Sequence, residues 1–190
     1  ICMNDYKYVD LILGKQCQTK MGRGGIRPLE FKTFSKEMQN AITNYCQAGG
    51  NFFVSGAYVA SDLWDNRLVK ANEEDKKFAM EVLKYKWRVG QAARNGKVKS
   101  VASPFPEITG SYTYYQDLNP ESYVVESPDA LEPAAQGAFT ILRYSENNLS
   151  AGIAYKGNYK TCVLGFPFEA IRTVTERELL MKAILTFFEH

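Results

Sequence analysis

Gly49-Gly50 and Ser55-Gly56 bracket Asn51-Phe-Phe-Val54, a short run that is apolar on both sides of its pleat. A strand apolar in both directions needs cover above and below, so it belongs inside a sheet with helices on both faces. The preceding residues supply one such helix. Ser35 is placed to cap it, Met38, Ala41, Ile42, Tyr45 and Cys46 recur at helical spacing, and Gly49-Gly50 stands where a left-handed residue closes a helix. The passage from Ser55-Gly56 into residues 57–63 then predicts a strand–turn–helix junction. Such junctions put backbone N–H groups and one side chain at the carboxyl edge of a sheet, where open α/β sheets bind ligands.

The rest of the chain fits around that unit. Tyr8-Val-Asp-Leu-Ile-Leu13, ended by Gly14, predicts another strand buried on both faces. The polar stretch after it contains Gly22-Arg-Gly-Gly-Ile-Arg-Pro28, with Lys15 and Lys20 nearby; it lacks the spacing of a phosphate loop and reads as a surface loop. Residues 73–83 are amphipathic and predict a helix. Residues 87–93 and 98–102 flank Arg94-Asn-Gly-Lys97, and Asn-Gly between strand-like runs predicts a hairpin. Residues 103–133 hold five prolines and the tyrosines Tyr112, Tyr114, Tyr115 and Tyr123, which read as loops with short strands. Residues 139–144, 150–155 and 160–166 are three strands joined by Ser145-Glu-Asn-Asn148 and Lys156-Gly-Asn-Tyr159, so two antiparallel hairpins are expected. Thr173-Val-Thr-Glu176 is a capping box that opens a last helix, with an apolar stripe from Leu179 to Phe188.

At 190 residues, with 45% apolar and 13% aromatic residues, the chain suits one domain with a full core. The net charge of +2, with no basic cluster interleaved with aromatics, argues against nucleic acid as a partner. No run approaches the roughly 18 apolar residues of a membrane span, and Ile1-Cys-Met-Asn-Asp5 has no signal-peptide character. With no initiator Met, residues 1–190 are expected to be a piece of a longer protein. Cys2, Cys17, Cys46 and Cys162 form no ligand pattern, so neither a metal nor a cofactor is expected.

The order of buried strand, Gly-rich helix end, Asn51-Phe-Phe-Val-Ser-Gly56 and Gly165-Phe-Pro-Phe-Glu169 resembles class I glutamine-amidotransferase-like domains. The resemblance implies a three-layer, flavodoxin-like α/β fold with a mainly parallel sheet and antiparallel hairpins at one side. In that family a Cys nucleophile sits in the turn after one strand, and a His-Pro-Glu motif follows a later one. Here Ser55 stands at the nucleophile position, and Pro167-Phe168-Glu169 keeps only the Glu. The one histidine, His190, ends the chain and cannot be held within the roughly 2.6–3.2 Å that a general base requires. The triad is therefore incomplete.

A closer resemblance rests on residues 45–58, Gly165-Phe-Pro-Phe-Glu-Ala-Ile171 and Arg177-Glu-Leu-Leu-Met181. These look like a domain of secreted multidomain proteins from Bacteroides-type bacteria that are often labelled xanthan lyases. The similarity implies an extracytoplasmic setting, polysaccharide-related work, and a glycan or other domains of the parent protein as partners. It implies a non-catalytic or ancillary domain more readily than a lyase, because no base-and-neutraliser constellation stands out among the twelve tyrosines and the arginines.

The candidate site is the strand edge carrying Ser55 and Glu169 as degenerate catalytic positions and Gly56, Tyr58 and Asp62 as ligand-binding positions. Each has a plainer reading. Ser55 either acts with a non-His base or caps the helix near Ala57. Glu169 either keeps an acid role or holds structure through Arg172, Arg177 or backbone N–H groups, and Asp62 faces either the same edge or solvent. Tyr58 and the Tyr112–Tyr115 cluster suit either sugar stacking or packing. A polysaccharide lyase or Ser-dependent hydrolase is the alternative, and a protein-interaction module using the tyrosine-rich segment is the second.

Overall fold

The computed structural model describes residues 2–22, 29–64 and 72–190. The strands are β1 (Tyr8–Gly14), β2 (Thr19–Lys20), β3 (Leu29–Glu30), β4 (Asn51–Gly56), β5 (Tyr85–Val89), β6 (Lys97–Ser100), β7 (Ser111–Thr113), β8 (Ala130–Pro133), β9 (Ala138–Tyr144), β10 (Ser150–Lys156) and β11 (Lys160–Leu164). The α-helices are α1 (Lys36–Gln47), α2 (Ser61–Trp64), α3 (Glu73–Phe78) and α4 (Val174–Glu189). Most of the Gly-rich segment 22–28 lies outside the described residues.

Among the described residues the main sheet has seven strands in the order β1-β4-β11-β10-β9-β6-β7. Only β1 with β4 and β4 with β11 pair in parallel; β11–β10, β10–β9, β9–β6 and β6–β7 are antiparallel. The mainly parallel, flavodoxin-like or amidotransferase-like sheet expected from the sequence is therefore not what forms. The reason is connection length. Parallel neighbours need a long crossover, supplied between β1 and β4 by α1, whereas the short turns at 145–149 and 157–159 force β9, β10 and β11 into a meander. Register irregularities within β9–β10 accompany a mixed sheet that curls into a half-barrel.

Two further expectations change. β1 lies at the sheet edge, so it is only partly covered, with Ile12 54% exposed. The Asn-Gly segment does not join a hairpin either. β5 pairs with β8 in a separate two-stranded sheet, while β6 pairs with β7 and β9. The Asn95-Gly96 turn is used instead to start β6: Lys97 N–H donates to Asn95 Oδ1 (3.0 Å), and Gly96 C=O accepts from Tyr114 N–H (2.8 Å).

Alternation along β4 splits the core in two. Phe52 and Val54 join Ile42, Tyr45 and Cys46 of α1 on one face. Phe53 joins Phe166, Leu180 and Ile184 on the other, its ring edge-on to Phe168 at 5.7 Å. Both helices start where side-chain oxygens can meet free N–H groups. Ser35 Oγ accepts from Met38 N–H (3.3 Å), and Thr173 Oγ1 accepts from Glu176 N–H (3.1 Å). With α4 anchored this way, Phe187 and Phe188 reach the core, and the turn between β11 and α4 is held over the end of β4.

Candidate functional site

The carboxyl ends of β1, β4 and β11 meet at one edge of the sheet. Ile12 and Leu164 flank Ser55 in the parallel registers, which carries the turn Gly165-Phe-Pro-Phe-Glu169 across the end of β4. Ser55 is fully buried, and its Oγ accepts from Phe168 N–H at 3.2 Å. It thus supports the short 3-10 turn Phe168–Ala170 rather than capping the following helix, which does not begin until Ser61. No lysine, carboxylate or tyrosine hydroxyl is hydrogen-bonded to Ser55 among the described residues.

Glu169, one residue past that contact, accepts a hydrogen bond at Oε1 from the Tyr123 hydroxyl. Its Oε2 is buried without a hydrogen-bond partner among the described residues. Burial pushes the Tyr123 phenol well above its ordinary range, and the adjacent Glu169 adds to the effect. Asp10, on β1, is raised to about 6, first by partial burial and then by the charge of Glu169. Lys15 pairs with Glu126 and lies 5.8 Å from the Tyr123 ring centroid, completing the rim. The arginines expected beside Glu169 are occupied elsewhere: Arg172 pairs with Asp117, and Arg177 donates to the Ile171 carbonyl. Gly14 has φ +55°, and a Cβ there would come within 3.3 Å of both Glu169 Oε1 and Tyr123 Oη.

Asp62 is turned away from this rim. Its carboxylate accepts from Gln18 N–H (2.9 Å), Thr33 N–H (2.8 Å) and the Thr33 hydroxyl (2.9 Å), which latches the segment after β1 onto α2. Gly56 lets β1 approach closely, since a Cβ would stand 2.9 Å from that of Leu13. Tyr58 is half-buried, and burial raises its phenol pKa while the nearby Ser127 hydroxyl opposes the rise. Tyr112, Tyr114 and Tyr115 are packed inside; Tyr114 stacks on Phe166 with centroids 4.9 Å apart.

Asp129 is the residue that sequence reasoning missed. It is fully buried, and its Oδ2 accepts from Ala60 N–H (2.8 Å), Ser61 N–H (2.8 Å) and the Ser61 hydroxyl (3.2 Å). Burial raises its carboxyl to about 7 against the pull of these donors. Trp87 Nε1–H comes near enough to favour the charged form without making a hydrogen bond, so Trp87 Nε1 and Asp129 Oδ1 both lack hydrogen-bond partners among the described residues. The backbone of Asp129 clamps the end of β11: its N–H donates to Gly165 C=O (2.7 Å), and a Cβ on Gly165 would lie 2.0 Å from Asp129 O. One signal was available. Ala60 precedes α2 with no side-chain oxygen to cap it, which leaves the first N–H groups to water or to an acceptor from elsewhere in the chain.

The arrangement holds a turn, a Tyr–Glu pair and a buried Asp without aligning a base on a nucleophile. Among the described residues no group of three or more His, Cys, Asp or Glu side chains could hold a metal ion. No protein-family model and no curated protein matches this chain. Solved structures do. The whole chain overlays on 24% of a cold-adapted β-galactosidase from Rahnella sp. R3, with a TM-score of 0.58 and 11% identity. The likeness is one of fold. A second match, covering 97% of this chain and 22% of the other, is the GH42 β-galactosidase Gan42B from G. stearothermophilus, with a TM-score of 0.55 and 11% identity. The chain therefore spans under a quarter of the length of these enzymes, and its fold is that of part of a β-galactosidase rather than the flavodoxin-like or amidotransferase-like domain first expected.

Proposed function

We propose that this chain is a non-catalytic, ancillary domain of an extracytoplasmic protein that handles polysaccharide, as its resemblance to proteins labelled xanthan lyases implies. The observation that carries the reading is the state of Ser55: fully buried, hydrogen-bonded to the Phe168 amide, and hydrogen-bonded to no base among the described residues. A nucleophilic serine needs a proton acceptor in reach and an open approach for substrate, and Ser55 has neither. The carbohydrate association draws further support from the two β-galactosidases whose fold it shares in part. Its partners are a glycan or the other domains of its parent protein. No helix among the described residues is long and apolar enough to cross a membrane.

The test pairs turnover with binding. Incubation of the chain with xanthan and with neutral galactosides should release neither unsaturated uronate nor reducing sugar, while a glycan array should detect retained ligands. Ser55→Ala should leave binding unchanged. Turnover by the wild-type chain that disappears in Ser55→Ala would overturn the non-catalytic reading in favour of a lyase or hydrolase.

A further inference from the structure

Away from the strand edge, the two-stranded β5–β8 sheet and the β9–β10 hairpin enclose a cleft of about 410 Å³ whose lining includes Arg88, Arg143, Thr140 and Ser150. We propose that this cleft binds the carboxylate of a uronate-bearing saccharide. The word saccharide rests on the polysaccharide reading above; the anion preference rests on the cleft itself.

Both walls break regular pairing at this place. The β5–β8 register shifts between Trp87 and Val89, so Arg88 stands at the irregularity. The β9–β10 register shifts on either side of Gly152, immediately beyond the Arg143–Ser150 pair. Bulges redirect side chains, and here they accompany two guanidinium groups and two hydroxyls on one cleft. Arg143 is half-buried, and its Nη1 donates to Asn148 C=O at 2.7 Å, which fixes one side of the guanidinium and leaves its other donors for a ligand.

The local charge is compensated only on the Arg88 side, where Glu132 also lines the cleft. Lys99 of β6 lies directly across from Arg143, on the same sheet face, where like charges repel. Neither cation forms an ion pair among the described residues. Arg88 makes only a loose pair with Glu132, at 3.6 Å with both side chains largely exposed. A carboxylate offers the planar, paired acceptors that a guanidinium fork fits, and it would relieve the Arg143–Lys99 repulsion. The lining also includes Leu131, Pro133 and Leu149, apolar surface suited to the carbon face of a sugar ring, while Thr140 offers a hydroxyl to its polar rim; the Ser150 hydroxyl donates to Gly152 C=O (3.4 Å) and can serve a ligand as acceptor.

Isothermal titration calorimetry of the chain with trigalacturonate, a neutral galactotriose and sodium sulfate tests the proposal. Trigalacturonate should bind, more weakly as salt rises, and Arg143→Gln and Arg88→Gln should each weaken it by about tenfold or more. Lys182→Gln on α4, outside the cleft, should not. Arg143→Lys, which keeps the charge without the fork, should bind more weakly than wild type. If a glutamine variant fails to fold, amide shifts of the wild-type chain provide the readout: trigalacturonate should move Arg143, Thr140 and Ser150, and shifts confined elsewhere overturn the proposal. Equal affinity for galactotriose, or indifference to the arginine variants, overturns it while leaving the polysaccharide reading in place. Arginine-dependent sulfate binding without trigalacturonate binding also overturns it. Failure of every glycan, here and on the array, overturns both.

Discussion

Asp129 shows how one side chain can hold a local structure and still be strained by its surroundings. Its carboxylate caps Ala60 and Ser61, yet burial raises the folded pKa from the ordinary 3.8 to about 7. A carboxyl whose pKa rises on folding binds its proton more tightly in the native state. Its contribution to stability is therefore fully present below about pH 4, is lost as pH climbs toward 7, and levels off above that. Asp10, raised to about 6, acts in the same direction. Urea melts across this range should show a larger loss in wild type than in Asp129→Asn, which keeps only the part due to Asp10. Parallel pH profiles for the two proteins would mean that Asp129 titrates normally. None of this was legible from Ser127-Pro-Asp129, which reads as ordinary turn sequence. The burial that shifts Asp129 comes from the packing of α2, β5 and β11 around it, and local spacing carries no trace of that.

At the level of elements, the readable parts were those whose determinants are local. The Ser35 and Thr173 caps, the apolar run of β4 and the meander from β9 to β11 follow from neighbours within a few residues. The pairing of β5 and β6 did not follow, because the Asn-Gly signal names a turn without naming the strands it joins. β5 finds β8, and β6 finds β7 and β9. The candidate site was legible only in outline. Ser55 and the Glu169 turn do meet at one edge, but Tyr123, the hydrogen-bond partner of Glu169, arrives from the proline-rich segment through a contact spanning 46 residues. The junction of β11 with the Asp129 loop is the tightest of these meetings. Gly165→Ala would set its Cβ 2.0 Å from a backbone oxygen, which cannot swing aside as a side chain would. The variant should lose about 3 kcal/mol or more in a denaturant melt. A cost below about 1 kcal/mol would show that the Asp129 loop yields easily.

For the whole molecule, the place of β11 beside β4 inside the sheet has a consequence for synthesis. β4 pairs with β11, and Lys160 N–H donates to the Asn51 side chain 109 residues earlier in the chain. A chain emerging from the ribosome with β1, α1 and β4 already out has one edge of Phe52-Phe-Val54 unpaired until the final strand is translated. Open apolar edges of that kind recruit other strands. Ribosome-stalled chains ending before Lys160 should therefore bind, through residues 51–56, a chaperone that captures exposed apolar segments, and chains extending through α4 should release it. Equal chaperone binding at both lengths would show that β4 is shielded by something other than β11. The late synthesis of β11 thus sets how long the open edge of β4 must be guarded.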